Sequence, residues 1–206
     1  GANLIRKVDI YGNSTILSTQ VPYPVDIAIV NGEVYAMAYF ESKIYKVQSN
    51  GTATLFATIG GNRGIQMAVD PSGHIYCTTG YDNRLYKVTP SGTVTLQTVF
   101  NDYSYGCAIS PAGEVYVTLH FTSRLAKYNP VTNTQHIVAA NGAGYVDGSV
   151  SIAKFYQPTF LSFTSSGEML MGDRGNGKFR KLGGLNLEEA CTGNMISFDG
   201  VDDYIE

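Results

Sequence analysis

The chain has 206 residues, a formal net charge of −3, 44% hydrophobic and 15% charged residues. That is enough apolar content to build one substantial core and too little charge for a disordered chain. Lysine and arginine form no basic block, so phosphate neutralisation of the kind nucleic-acid binding needs is not supplied. No apolar run of about 18 residues is present to span a membrane as a helix.

Taken in order, residues 1–20 already read as strands, with no secretory leader ahead of them. The first motif is Leu4-Ile5-Arg6-Lys7-Val8. It returns as Lys43-Ile44-Tyr45-Lys46-Val47, Arg84-Leu85-Tyr86-Lys87-Val88, Arg124-Leu125-Ala126-Lys127-Tyr128 and Lys178-Phe179-Arg180-Lys181-Leu182. The motif lysines 7, 46, 87, 127 and 181 are spaced by 39, 41, 40 and 54 residues. A repeat of about 40 residues points to a propeller or solenoid.

Ahead of the last four copies lies an apolar run, a turn containing Gly32, Gly73, Gly113 or Gly167, and a second apolar run. Asp70-Pro71-Ser72-Gly73 and Ser110-Pro111-Ala112-Gly113 carry the residues of type I turns. Behind the motif come Ser14–Ser18, Thr52–Ala57, Thr93–Thr98 and Thr134–Val138, entered through hairpin turns such as Asn50-Gly51 and Ser91-Gly92. Four short antiparallel strands per repeat is the content of a propeller blade. The fold class is therefore all-β, a β-propeller of about five blade repeats with the first and last partial. The strands count two, four, four, four and three, compatible with part of a six-bladed ring. The run Ile27–Val30 is expected to be apolar on both faces, sandwiched between blades. The motif strands are expected at a half-exposed outer position, with their lysines on solvated edges.

The best-formed repeat reads Ala143-Gly144-Tyr145-Val146-Asp147-Gly148, Phe155, Pro158, Gly167, then Gly172-Asp173-Arg174-Gly175-Asn176 leading into Phe179-Arg180-Lys181-Leu182. These residues resemble the NHL-repeat propellers of bacterial secreted and cell-surface proteins, over residues 1–184. The other copies depart from the Asp/Asn loop, with Tyr39-Phe40-Glu41-Ser42, Tyr81-Asp82-Asn83 and His120-Phe121-Thr122-Ser123 in its place. Residues 185–206 are expected to form a linker and either a closing strand or the start of another domain. Within them, Asn194 to Glu206 resembles the opening of a laminin-G or concanavalin-like jelly roll. The resemblances imply an extracellular or cell-surface segment of a modular protein, partnered by its adjacent domains.

No catalytic constellation is legible. Cys77, Cys107 and Cys191 have neither disulfide-framework nor zinc spacing, and Cys77 and Cys107 fall on core strands. No metal site and no cofactor are expected. Calcium is the one ion that the acidic group Asp199, Asp202 and Asp203 would suit, though its spacing is not that of an EF-hand. Asp147 and Asp173 sit by turn glycines, where an Asp ordinarily accepts from nearby backbone N–H groups.

Aromatic residues crowd the loops and strand ends: Tyr23, Tyr39, Phe40, Tyr81, Tyr103, Tyr105, His120, Phe121, Tyr145 and Tyr156. Tyr39, Phe40, Tyr81, His120 and Phe121 share one loop position in successive blades. They are the candidate binding residues, for a protein or glycan partner. The bland alternative is that they pack between blades. Two other readings stand beside a non-enzymatic binding scaffold: a structural spacer of an adhesin, and the metal-dependent lyases or lactonases found on NHL-like propellers.

Overall fold

The computed structural model describes residues 3–164 and 166–182. The jelly-roll-like tail, Cys191 and the acidic group Asp199, Asp202 and Asp203 lie outside the described residues. Among the described residues seventeen strands form five antiparallel sheets. The first sheet pairs β1 (Ile5–Val8) with β2 (Ser14–Ser18). The second runs in order through β3 (Pro24–Val30), β4 (Glu33–Ala38), β5 (Lys43–Val47) and β6 (Ala53–Thr58). The third contains β7 (Gly64–Val69), β8 (Ile75–Thr79), β9 (Arg84–Val88) and β10 (Val94–Val99). The fourth contains β11 (Ser104–Ile109), β12 (Val115–Leu119), β13 (Arg124–Asn129) and β14 (Thr134–Ala139). The fifth has β15 (Pro158–Phe163), β16 (Met169–Asp173) and β17 (Lys178–Leu182). Meandering four-stranded sheets of this kind are the blades of a β-propeller, and the strand tally of two, four, four, four and three is the one expected. Among the described residues no helix is long and apolar enough to cross a membrane.

The chain divides into two compact units, Gly1–Leu96 and Gln97–Glu206. In the first, one core cluster joins Ala28, Tyr35, Met37 and Ile44 of the second sheet to Met67, Ile75, Cys77 and Tyr86 of the third. In the second unit, Tyr116 and Leu125 of the fourth sheet meet Leu161, Met169 and Met171 of the fifth, with Phe155 between. The second strand of a sheet is its most buried: β8 and β12 are buried at every residue. Their side chains are apolar or Thr on both faces, as a strand covered on both sides requires. Cys77 and Cys107 are such core residues, and burial pushes the Cys77 thiol well above its ordinary pKa.

The turns between first and second strands end on Gly32, Gly73, Gly113 and Gly167, all with φ between 80° and 85°. That left-handed conformation is open to glycine without steric cost, which explains its recurrence. In three of these turns the glycine N–H closes back onto Asp70, Ser110 or Thr164 at 2.8–3.0 Å.

Two expectations are corrected. The motif strands β5, β9 and β13 are third of four, paired on both sides rather than lying at the outer edge. Their lysines reach across to the glutamate that opens the second strand: Lys46 to Glu33 at 2.5 Å, Lys127 to Glu114 at 2.9 Å, and in the fifth sheet Lys181 to Glu168 at 3.0 Å. Lys127 is buried with its partner's help rather than placed on a solvated edge. In the third sheet His74 replaces the glutamate and turns to Asp70 at 2.9 Å, while Lys87 lies over the Tyr76 ring at 5.5 Å. Secondly, β3 is apolar on both faces but covered on only one. Ala28 and Val30 are buried, whereas Ile27 and Ile29 are exposed on the face toward the first sheet, which has two strands among the described residues.

Asp26, at a register shift in β3, accepts the Met67 backbone N–H at 2.6 Å, tying β3 to β7. Burial raises its carboxyl from 3.8 to about 6 against the opposing pull of that bond and the Ile27 N–H. The folded state therefore favours the protonated form. Its contribution is complete below about pH 3.8 and is lost as pH rises through about 6. Asp26→Asn keeps an acceptor and removes the titration. It should flatten stability between pH 4 and 6 and add on the order of 1–3 kcal/mol at pH 7. Urea midpoints for both proteins across that range check this, and an unchanged slope in the variant counts against it.

Candidate binding surface

In the second, third and fourth sheets the loop end is built to one plan. The residue just before the first strand offers its carbonyl to the residue just after the second. Tyr39 N–H donates to Tyr23, Gly80 to Arg63 and His120 to Tyr103, each at 3.0 Å. This latch sets the next side chain, Phe40, Tyr81 or Phe121, at the same place in each sheet. All three are exposed. Tyr23 and Arg63 hold left-handed φ values of 45° and 61° there, and Gln157 holds 51° before β15. That recurrence makes the strained backbone part of the blade plan rather than of one blade's chemistry.

In the first unit the latch gathers Tyr39, Phe40 and Tyr81 around Arg63. Nη1 of Arg63 donates to the Tyr81 hydroxyl at 2.8 Å and to the Tyr39 hydroxyl at 3.3 Å. Its guanidinium carbon lies 4.2 Å from the Tyr81 ring centroid, 5.4 Å from Tyr39 and 5.6 Å from Phe40. Phe40 meets Tyr23 and Tyr39 edge-on, each at 4.9 Å. A planar cation framed by aromatic faces has rigid apolar area and directional donors side by side. That combination suits a ligand with a flat apolar face and an oxygen-rich edge, such as a sugar ring or a peptide.

In the second unit Phe121 and Phe160 are the exposed members of an aromatic row. Tyr103 lies 5.4 Å from Phe121 and 5.9 Å from Tyr105, and Tyr105 lies 5.4 Å from Phe160. His120 is buried within the row, 5.3 Å from Tyr105 and 5.1 Å from Phe121. Its Nδ1 is 3.1 Å from the Pro158 carbonyl. A carbonyl only accepts, so Nδ1 carries the proton and His120 pins the end of β12 to the start of β15. Asp102 fixes the same loop, accepting from the Thr122 N–H at 2.7 Å and hydroxyl at 2.6 Å. The cavity beside it, of about 200 Å³, is smaller than a typical ligand pocket of roughly 300 Å³ or more. The candidate surface is therefore the exposed aromatic row.

The loop carrying the fullest motif does something else. Arg180 is buried and donates to Asp173 Oδ2 at 2.9 Å and to Asp147. Asn176 donates to Asp173 at 2.8 Å and to the Gly144 carbonyl at 2.9 Å, and the Tyr156 N–H donates to Asp173 at 2.7 Å. Asp173 thus accepts from backbone as expected, but its main partner is a guanidinium that closes the 140–157 segment onto β16 and β17. Tyr145 stacks on that guanidinium at 4.8 Å. Among the described residues no three His, Cys, Asp or Glu side chains converge as a metal site would need.

Sequence reasoning missed Arg63 and Phe160. The signal for Arg63 was available: it holds the repeat position of Tyr23 and Tyr103, just ahead of a first strand.

No protein-family model matches the chain, and no curated protein matches it by sequence. Solved structures do match. Virginiamycin B lyase from Staphylococcus aureus aligns at a TM-score of 0.69 and 12% identity, over 90% of this chain and 61% of that one. An auxiliary nutrient binding protein from Bacteroides ovatus aligns at 0.71 and 19%, over 88% and 50%. One from Bacteroides thetaiotaomicron aligns at 0.70 and 14%, over 87% and 49%. At such identities the likeness is one of fold, and the chain spans about half to three-fifths of each of these structures.

Proposed function

We propose that this chain is a non-enzymatic binding module, a run of NHL-type propeller blades within an extracellular or cell-surface protein, taking a glycan or peptide on its aromatic loops. The observation that carries the reading is the Arg63 guanidinium framed by Tyr39, Phe40 and Tyr81. An exposed tyrosine, Tyr81, and half-buried Arg63 and Tyr39 held in one geometry by each other need little further ordering to bind. The fold shared with nutrient-binding proteins is compatible with it.

A glycan and peptide array identifies the ligand, and titration of variants locates it. Tyr81→Ala and Arg63→Ala should each weaken binding about tenfold or more. Phe121→Ala reports on the second unit independently. Full affinity in all three variants, or an array without hits, would end the proposal. The metal-dependent lyase reading predicts something else, a stoichiometric divalent ion found by elemental analysis of the purified protein.

A further inference from the structure

The third residue of the lysine motif is large in four copies, as Arg6, Tyr45, Tyr86 and Arg180, and small in one, as Ala126. Each large side chain carries a polar head to a partner. Arg6 donates to the Ser14 hydroxyl at 3.2 Å, and the Tyr45 hydroxyl donates to Glu41 at 2.9 Å. The Tyr86 hydroxyl accepts from Nη1 of Arg84 at 3.1 Å, and Arg180 donates to Asp173. Register puts Ala126 at the same place: Tyr45 lies opposite Ala36, Tyr86 opposite Cys77 and Ala126 opposite Val117. A methyl group reaches no such partner. Beside it is the cavity of about 200 Å³, with Phe100, Leu119 and Ile137 as its other apolar walls.

The first residue of the motif has changed partners in the same copy. Lys43 pairs with Glu41 at 2.9 Å, and Arg84 pairs with Asp82 at 3.4 Å besides the Tyr86 hydroxyl. Arg124 has Thr122 where those carboxylates stand and Ala126 where the tyrosines stand. Thr122 is itself given to Asp102 through its N–H and its hydroxyl, and the second Asp102 oxygen accepts the Tyr103 N–H at 2.7 Å. Asp102 and Arg124 both line the cavity. The carboxylate already has its donors, while the exposed guanidinium brings donors to the same space.

We propose that this cavity binds a small phenol, with the ring against Ala126 and the oxygen on Arg124. A free molecule would then make the contact that Tyr86 and Arg84 make within one strand of the third sheet. The space is short of what a sugar or peptide needs, but an apolar cavity of roughly 150 Å³ accepts a benzene ring. Phe100 sets the shape. It stands three residues ahead of Tyr103, as Gly60 does ahead of Arg63, and the Tyr86 hydroxyl lies 3.4 Å from where a Cβ at Gly60 would be. An aromatic wall at that place favours a flat ring over a bulky aliphatic group. The guanidinium selects an oxygen acceptor over an ammonium group. The site stands apart from the aromatic loops, since none of Tyr39, Phe40, Tyr81 and Phe121 lines it.

The probe is p-cresol, the tyrosine side chain as a free molecule. Titrated into the whole chain, it should bind one to one with a dissociation constant on the order of 0.1–1 mM. Amide resonances of Leu119, residues 124–126 and Ile137 should shift as it does. Ala126→Met grows a flexible side chain into the cavity and should abolish binding. Arg124→Gln, a change at an exposed residue, should weaken p-cresol about tenfold and leave toluene unaffected. Benzylamine, with a cation in place of the hydroxyl, should bind the parent about tenfold more weakly than p-cresol. Absence of saturable binding overturns the proposal, as do shifts confined to Phe121 and Phe160. So does undiminished binding in Ala126→Met that is folded by circular dichroism. If that variant does not fold, Arg124→Gln decides: p-cresol affinity equal to the parent's overturns the proposal, and so does benzylamine binding as tightly as p-cresol.

Discussion

Arg180→Met is expected to lower folding stability by about 3–5 kcal/mol, the cost of leaving a carboxylate buried without its cation. Asp173 has no exposure and depends on that guanidinium, on Asn176 and on the Tyr156 N–H. Remove the arginine and the carboxylate either stays charged in an apolar surrounding or takes up a proton. Both cost free energy. The loss extends beyond the pair, because Arg180 also holds the Val146 carbonyl at 3.2 Å and the Lys154 carbonyl at 3.3 Å. These bonds tie the 140–157 segment, whose own strand-like pairing is two isolated bridges, to β17. Urea unfolding of Arg180→Met, Asp173→Leu and the double variant forms the appropriate cycle. The double variant should be less damaged than the sum of the two. Additive losses would show that the two side chains act separately. Asp147→Asn, at a partly exposed partner, should cost far less.

Gly106→Ala should be comparably damaging, by about 2–4 kcal/mol, for a steric reason. A Cβ at Gly106 would run into the Thr159 carbonyl oxygen and lie 2.9 Å from Leu161 N and Phe160 Cα. Those are backbone atoms of β15, so no rotamer change relieves the clash. The close approach lets the Thr118 hydroxyl accept the Gly106 N–H at 2.8 Å and donate to the Thr159 carbonyl at 2.6 Å. Forcing β11 and β15 apart would break both bonds. Gly60→Ala is the control: there the added carbon meets the Tyr86 side chain, nearest at its hydroxyl, at 3.4 Å. Thermal unfolding that leaves Gly106→Ala level with Gly60→Ala would contradict this account.

Most of the architecture was legible because a repeat reports the same fact several times. The strand tally and the turn glycines follow from five copies of one motif. The edges of the reading failed where burial depends on what stands alongside a strand. Nothing in Ile27-Ala28-Ile29-Val30 says that one face lacks a neighbour. Nor does Lys127 look buried until Glu114, brought opposite by the turn at Gly113, is seen to neutralise it. At the candidate site, the shared loop position was readable from alignment of the copies. The clustering of Tyr39, Phe40 and Tyr81 was not, because it is organised by Arg63, which precedes β7 and reaches both Tyr81 of its own sheet and Tyr39 of the preceding one.

In the second and fourth sheets the second strand has two ends with different duties. One end opens on the glutamate that meets the motif lysine, and the other leads into the latched aromatic loop. Changes at the exposed residues 40, 81 or 121 leave both the register-setting end of the strand and the latch untouched. Natural variation can therefore rewrite what the loops present to solvent in small steps without each step being tested first as a folding problem. The same separation makes these exposed positions suitable places to graft a binding specificity.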